Sequence, residues 1–349
     1  MTKIVLVSLY YERDRVTGAN KRFDEIGKRL RSRGELYKLI VTEGQEPHWC
    51  PAEHCVIVRP YNSAVTRMAS FIHLNWLLLG LDCAIVITDF MPVPLIGLMK
   101  HRHVQLIHDL RSFTPFGRYG SRLSSTFQKF QLRRCPEIVT VSQWSKREVV
   151  QYCNVDDRQV LVSYNGINFE ESVPKPFSER DIDIFYVATF EARKNHELLI
   201  EALHSATDPL RVVFLGKDLG SREFINKSVN MLAAANSSVS VEILDSVSEE
   251  ELRELYRRTK LFVSPSVLEG FGMPLVEAMN YGCKVVCSDI PVFREVCDDY
   301  AYYFKYNSKE DLERKLVEAF WDGEGSSHRA LEKFSWDIIV SKLVDDLTA

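Results

Sequence analysis

At 349 residues the chain exceeds one ordinary domain, and a norm of about 150 residues per domain gives roughly two. Hydrophobic residues are 46% and charged residues 26%, a globular balance that excludes a disordered chain. The net charge of −4 is split: residues 1–170 hold 23 Lys and Arg against 16 Asp and Glu (+7), and residues 171–349 hold 21 against 32 (−11), which argues against nucleic acid as a partner.

The first apolar run, Lys3–Ser8, reads as a strand and is too short for a signal-peptide core. Strand patterns follow at Tyr37–Val41, Cys55–Val58, Ala84–Thr88, Val104–Ile107, Ile138–Val141 and Val160–Ser163, with helical patterns at Asn20–Arg33 and Ser142–Tyr152. The apolar stretch Phe71–Met99 is broken by Asp82, Asp89, Pro92 and Pro94, so it predicts no membrane span. Residues 167–181 carry Pro174, Pro176 and many charges without periodicity, and mark a boundary. Beyond it strands are predicted at Ile182–Ala188, Arg211–Leu215, Ser240–Leu244, Leu261–Ser264, Lys284–Ser288 and Ala301–Phe304. Helices are predicted at His196–Ala206, Ser221–Ala234, Glu249–Arg258 and Met273–Tyr281, and a terminal helix within Phe334–Leu347. Alternating strands and helices predict α/β units with parallel sheets, and near-continuous apolar strands predict sheets covered on both faces. The eight cysteines contain no CxxC pair and are expected to be reduced thiols of a cytosolic protein.

The segment Ser264–Met279 carries the chemistry. A strand runs into a turn with Gly270 and Gly272, then into a helix with Pro274 in its first turn. Free N–H groups at such a helix start suit a phosphate, at the sheet edge where ligands of parallel folds bind. Glu269 and Glu277 flank this cradle, and sugar hydroxyls are good donors to carboxylates. A tight turn with two solvated glutamates is the plain alternative. A second motif, Val187–Asn195, places Arg193 and Lys194 at a strand-to-helix junction of the acidic half, and adjacent cations suit a diphosphate.

Glu269–Glu277 resembles the E-x7-E signature of retaining glycosyltransferases of family four, and the likeness continues through Pro291 and Phe293–Val296. It covers nearly the whole second half and, more weakly, the first. It implies the GT-B fold: α/β, with two Rossmann-like doubly wound domains facing a deep cleft. The domains are then 1–170, for the acceptor, and 171–333, for the nucleotide sugar, with helix 334–349 returning to the first. By the same likeness Glu269 contacts the donor sugar and Glu277 the nucleotide ribose. Backbone amides of Gly270, Phe271, Gly272, Met273, Pro274 and Leu275 are expected to frame sugar and phosphate, and Lys194 to meet the diphosphate. The family's glycine and arginine upstream are Ala188 and Thr189 here, and Arg193 either replaces that arginine's contact or faces solvent. Thr17 and Gly18 stand where the family has a Gly-Gly loop, and His108 resembles its histidine beside the reacting carbon.

The implied activity is hexosyl transfer from a GDP- or UDP-sugar to an acceptor hydroxyl of a lipid-linked glycan. The anomeric configuration is retained, and no cofactor or metal takes part. A nucleotide-sugar epimerase on the same fold and a silent binding subunit are the alternatives. Asp181-Ile-Asp183 opens a strand rather than following one, so it is not expected to bind metal, and residues 48–55 fit no common zinc spacing. Arg111–Pro136 interleaves six cations with aromatic residues and no acid, which suits a solvated helix face, an anionic membrane surface or an anionic lipid-diphosphate acceptor.

Overall fold

The computed structural model describes residues 2–13, 17–59, 64–89, 101–110, 122–169, 174–322 and 328–348. The chain divides into two compact units, Met1–Gly166 with Phe334–Ala349, and Ile167–Lys333.

The first unit holds β1 (Ile4–Val7), β2 (Leu36–Thr42), β3 (Cys55–Val58), β4 (Ile85–Thr88), β5 (Arg102–Ile107), β6 (Glu137–Thr140) and β7 (Val160–Val162). They form one sheet in the order β3-β2-β1-β4-β5-β6-β7, with every pair parallel. Its helices are α1 (Gly18–Ser32), α2 (Ala64–Gly80), α3 (Arg122–Arg134) and α4 (Gln143–Cys153), joined by the C-terminal α11 (Trp336–Thr348). All four residues of β1 are buried because both sheet faces are covered. Val5 and Val7 pack with Leu74 and Leu78 of α2. Chain order reverses between β1 and β4, which makes the carboxyl ends of these two strands the switch point of the sheet.

The terminal helix is held to this unit by apolar burial and by charge. Trp336, Val340, Leu343, Val344 and Leu347 are buried at helical spacing. Arg29 and Arg33, near the end of α1, reach Asp337 and Asp345 at 2.8 and 2.9 Å. Gly166 is needed where the chain passes beneath α11, since a Cβ there would lie 2.7 Å from the Trp336 ring.

The second unit holds β8 (Ile182–Val187), β9 (Leu210–Leu215), β10 (Val239–Leu244), β11 (Thr259–Ser264), β12 (Lys284–Ser288) and β13 (Tyr302–Phe304). They form a parallel sheet in the order β10-β9-β8-β11-β12-β13, so its switch point lies between β8 and β11. Its helices are α5 (His196–Leu203), α6 (Arg222–Ala235), α7 (Glu249–Arg257), α8 (Met273–Asn280), α9 (Pro291–Cys297) and α10 (Lys309–Trp321). Most strands match the sequence expectation within a residue or two, but α2, α9 and α10 add to it and α5 ends three residues early. Asp181 pairs with Arg211 and Arg258, and Asp183 with Lys260, so both carboxylates tie strand ends together.

Trp336 is fully buried in the first unit. Trp336→Ala is expected to lower stability by about 3–5 kcal/mol, the usual cost of truncating a buried large aromatic residue. Urea unfolding measures it, and a loss below about 1 kcal/mol would show that α11 contributes little.

Candidate active site

In the second unit the two candidate motifs leave adjacent strands at the switch point. After β8 the chain makes a short turn and a 3-10 helix at Ala192–Lys194, then enters α5 through Asn195, which is left-handed at φ 53°. After β11 it passes Ser266 and Glu269 and enters α8 through Gly272 at φ 98°. A side chain at Gly272 would be strained by that φ, and a Cβ would sit 2.9 Å from the Phe293 ring. Pro274 lies in the first turn of α8, where its missing N–H costs nothing. The Val267 amide donates to the Arg193 carbonyl at 2.9 Å and joins the two loops.

The loops meet in a cluster of four charges. Lys194 Nζ lies 2.5 Å from Glu269 Oε1 and Arg193 Nη1 lies 3.3 Å from Glu269 Oε2. Arg193 Nη2 reaches Glu191 at 2.8 Å, and Arg193 Nη1 also donates to the Leu268 carbonyl at 3.0 Å. Arg193 therefore faces the protein interior, with 9% of its side chain exposed, and Lys194 and Glu269 are each 13% exposed. Tyr186, in β8, donates to the Lys194 carbonyl at 2.9 Å and lies 3.0 Å from the Ser266 hydroxyl. Burial alone would raise the Glu269 carboxyl, but the charges of Lys194 and Arg193 outweigh it and hold the group down at about 2. Glu277, eight residues on, accepts from the Tyr256 hydroxyl at 3.0 Å. Gly270, Phe271, Met273 and Leu275 are buried around the turn, and the Leu275 amide closes it on the Gly272 carbonyl at 3.0 Å.

Gly18 and His108 belong to the first unit. Gly18 opens α1, whose N-cap Thr17 accepts from the Asn20 amide at 3.2 Å. His108 directly follows β5. Burial and then the Arg22 charge push its imidazole down to about 3, which keeps it neutral. Its Nε2 has no hydrogen-bond partner among the described residues. Asp89 directly follows β4, accepts from Ser8 at the end of β1, and is pushed up to about 7 by burial.

Several residues of this chemistry escaped the sequence reading. Arg22 is 1% exposed and donates to the carbonyls of Ser163 and Tyr164 and to Asn165 Oδ1, at 2.7, 3.0 and 2.9 Å. In sequence it is one cation of a Lys-Arg pair, and its partners lie over 140 residues away. Glu191, Tyr186 and Ser266 support the charged cluster. The one local signal was a tyrosine within an otherwise apolar strand end.

A family profile described as Glycosyl transferases group 1 matches residues 168–333. Another, described as Glycosyltransferase Family 4, matches residues 16–171. The two profiles take the two units in turn, so the chain is built of a family 4 and a group 1 glycosyltransferase domain, and its fold is GT-B. It is 26% identical over 245 residues to the O-antigen chain mannosyltransferase RfbU of Salmonella typhimurium, covering 69% of this chain and 68% of that protein. Over 93 residues it is 36% identical to the serotype-specific mannosyltransferase WbdA of Escherichia coli, which is 27% of this chain and 11% of that protein. The crystal structure of Anabaena Alr3699/HepE in complex with UDP and glucose superposes over the full length of both chains with a TM-score of 0.79 at 15% identity, a likeness of fold.

Glu269 titrates near 2 against an ordinary value of 4.5. A depressed carboxylate contributes stability that is present above the ordinary value and lost as pH falls through the folded one. Stability is thus expected to fall on this account as pH drops from about 4.5 towards 2. In Glu269→Gln that part of the slope disappears. Side-chain carbon NMR of Glu269 reads the titration directly, and a midpoint at or above 4.5 contradicts the pairing.

Proposed function

We propose that this glycosyltransferase moves a hexose from a nucleotide diphosphate sugar to a hydroxyl of a growing lipid-linked polysaccharide, with retention at the anomeric carbon. The observation that carries the reading is the charged cluster of Arg193, Lys194 and Glu269 at the switch point of the second unit, beside the N-terminus of α8. The similarity to O-antigen chain and serotype-specific mannosyltransferases supports the polysaccharide acceptor.

In this reading the diphosphate lies against Lys194 and the first amides of α8, where a cation and a helix dipole both favour negative charge. Lys194 carries three N–H donors and gives one to Glu269, so others serve phosphate oxygens. Arg193, bound to two carboxylates and a carbonyl, acts chiefly by holding Glu269 and adding positive charge to the site. Glu269, fixed as an anion, accepts hydroxyl hydrogens of the donor sugar, and Glu277 those of the ribose. His108 is neutral and offers one nitrogen to the sugar.

The bond between the anomeric carbon and the phosphate oxygen breaks, and the acceptor oxygen forms the new bond on the same face. The acceptor proton passes to the departing phosphate oxygen. Charge that develops on the diphosphate is met by Lys194 and backbone N–H groups, so the reaction proceeds without metal. Among the described residues no helix is long and apolar enough to cross a membrane. We place the enzyme in the cytoplasm, meeting its acceptor at an anionic membrane through the basic stretch 111–134, of which 111–121 lie outside the described residues.

Lys194→Ala is expected to lower kcat by about 10²-fold or more, because the lysine meets charge that grows in the transition state. A circular dichroism melt verifies that the variant is folded, and near wild-type turnover overturns the assignment. Transfer is also expected to persist in excess EDTA. Its loss there, with recovery on adding manganese or magnesium, contradicts the metal-free reading. A thermal-shift panel of nucleoside diphosphates tests the donor site itself, since a selective ligand raises apparent stability by mass action.

A further inference from the structure

Helix α2 in the first unit is apolar on both of its sides. Ser70, Leu74, Asn75 and Leu78 face the sheet and are buried. On the other side Met68, Ile72, Trp76 and Leu79 are 62, 62, 69 and 42% exposed. The spacing of four, four and three residues places them in one stripe along the helix. A stripe of four large apolar side chains in water is costly, and on a globular surface it marks a docking face.

The charge around the stripe indicates what covers it. From Arg59 to Leu81 the sequence has no Asp or Glu and carries Arg59, Arg67 and His73. The crossovers β3-α2-β4 and β5-α3-β6 run in the same direction along the sheet, so right-handed connections put α2 and α3 on the same face. On α3, Phe127 and Phe130 are 48 and 47% exposed, Arg133 and Arg134 are exposed, and the Arg134 guanidinium sits 3.9 Å over the Phe130 ring. Apolar residues including tryptophan, interspersed with cations and free of acids, match a bilayer interface with anionic headgroups. A second copy fits less well, because a two-fold contact would set these cations against themselves.

We infer that the face of the first unit formed by α2 and α3 docks on an anionic membrane, with Met68, Ile72, Trp76 and Leu79 entering the headgroup and acyl boundary. The basic stretch alone would give binding that vanishes as salt screens it. The α2 stripe adds a component that salt does not screen. The inference rests on the membrane reading proposed above for 111–134 and deepens it with α2, while vesicle binding itself needs neither donor nor acceptor and so fails separately from sugar transfer.

Co-sedimentation of the full chain tests it, using vesicles of phosphatidylglycerol and phosphatidylethanolamine beside vesicles of phosphatidylcholine alone. The wild type is expected to bind the anionic vesicles, to weaken as salt rises, and to keep a residual affinity at high salt. The exposed-residue variant Met68→Ser/Ile72→Ser/Trp76→Ser is expected to lose that residual affinity and to bind at least about tenfold more weakly at low salt. Arg133→Gln/Arg134→Gln is expected to reduce the salt-sensitive part and leave the residual part. Donor hydrolysis without vesicles is expected to be equal in all three proteins, which separates a failure of docking from a failure of the transferase reading. Three results overturn the inference. The wild type ignores anionic vesicles; the serine variant binds as the wild type does; or the stripe holds a dimer in solution that the serine variant breaks while vesicle binding is unchanged.

Discussion

Burying charge is costly unless the charge is paired, and the candidate site is organised around one such pairing. Glu269 lies between Lys194 and Arg193, and Arg193 in turn holds Glu191. The three charged residues Arg193, Lys194 and Glu269 come from two loops that leave adjacent strands, so the cluster exists only when β8 and β11 are in register. In this sense the fold of the second unit and the assembly of its site are one event. Tyr186 and Ser266 fix the lysine loop from below, and the amide of Val267 ties it to the glutamate loop.

In the second unit cations and a helix start lie side by side. Two cations face Glu269 and Glu191 there, and the N-terminus of α8 opens beside them through a left-handed glycine. The first unit, taken by itself, holds groups of a different kind at its own strand ends. Ser8, Asp89 and His108 each follow the end of a strand, on three strands that are neighbours in the sheet. His108 is kept neutral by burial and by Arg22, which itself fastens α1 to residues 163–165.

Much of this was legible in the sequence, for identifiable reasons. Most strands of the second unit are near-continuous apolar runs because helices cover both faces, and such runs need no partner to be recognised, whereas the edge strand β10 alternates. Gly272 and Pro274 mark the start of α8 through backbone geometry, which is local. The pairing of Glu269 with Lys194 spans 75 residues and has no local signature. Arg22 was hidden for the same reason, its partners lying at Ser163 to Asn165. The apolar character of Phe71–Met99 was visible, but periodicity could not separate the outer stripe of α2 from its core side, since both sides are apolar. The inward turn of Arg193 was equally beyond reach, because it depends on Glu191 and Glu269 meeting across two loops.

The central claim is that the cluster around Glu269 is a diphosphate-sugar site assembled before the donor arrives. A crystal structure of the chain with a bound nucleoside diphosphate tests this most directly. The account predicts phosphate oxygens within hydrogen-bond distance of Lys194 and of the first amides of α8, with Glu269 still paired to Arg193. A diphosphate bound elsewhere, or one that leaves Lys194 and the start of α8 untouched, would contradict it.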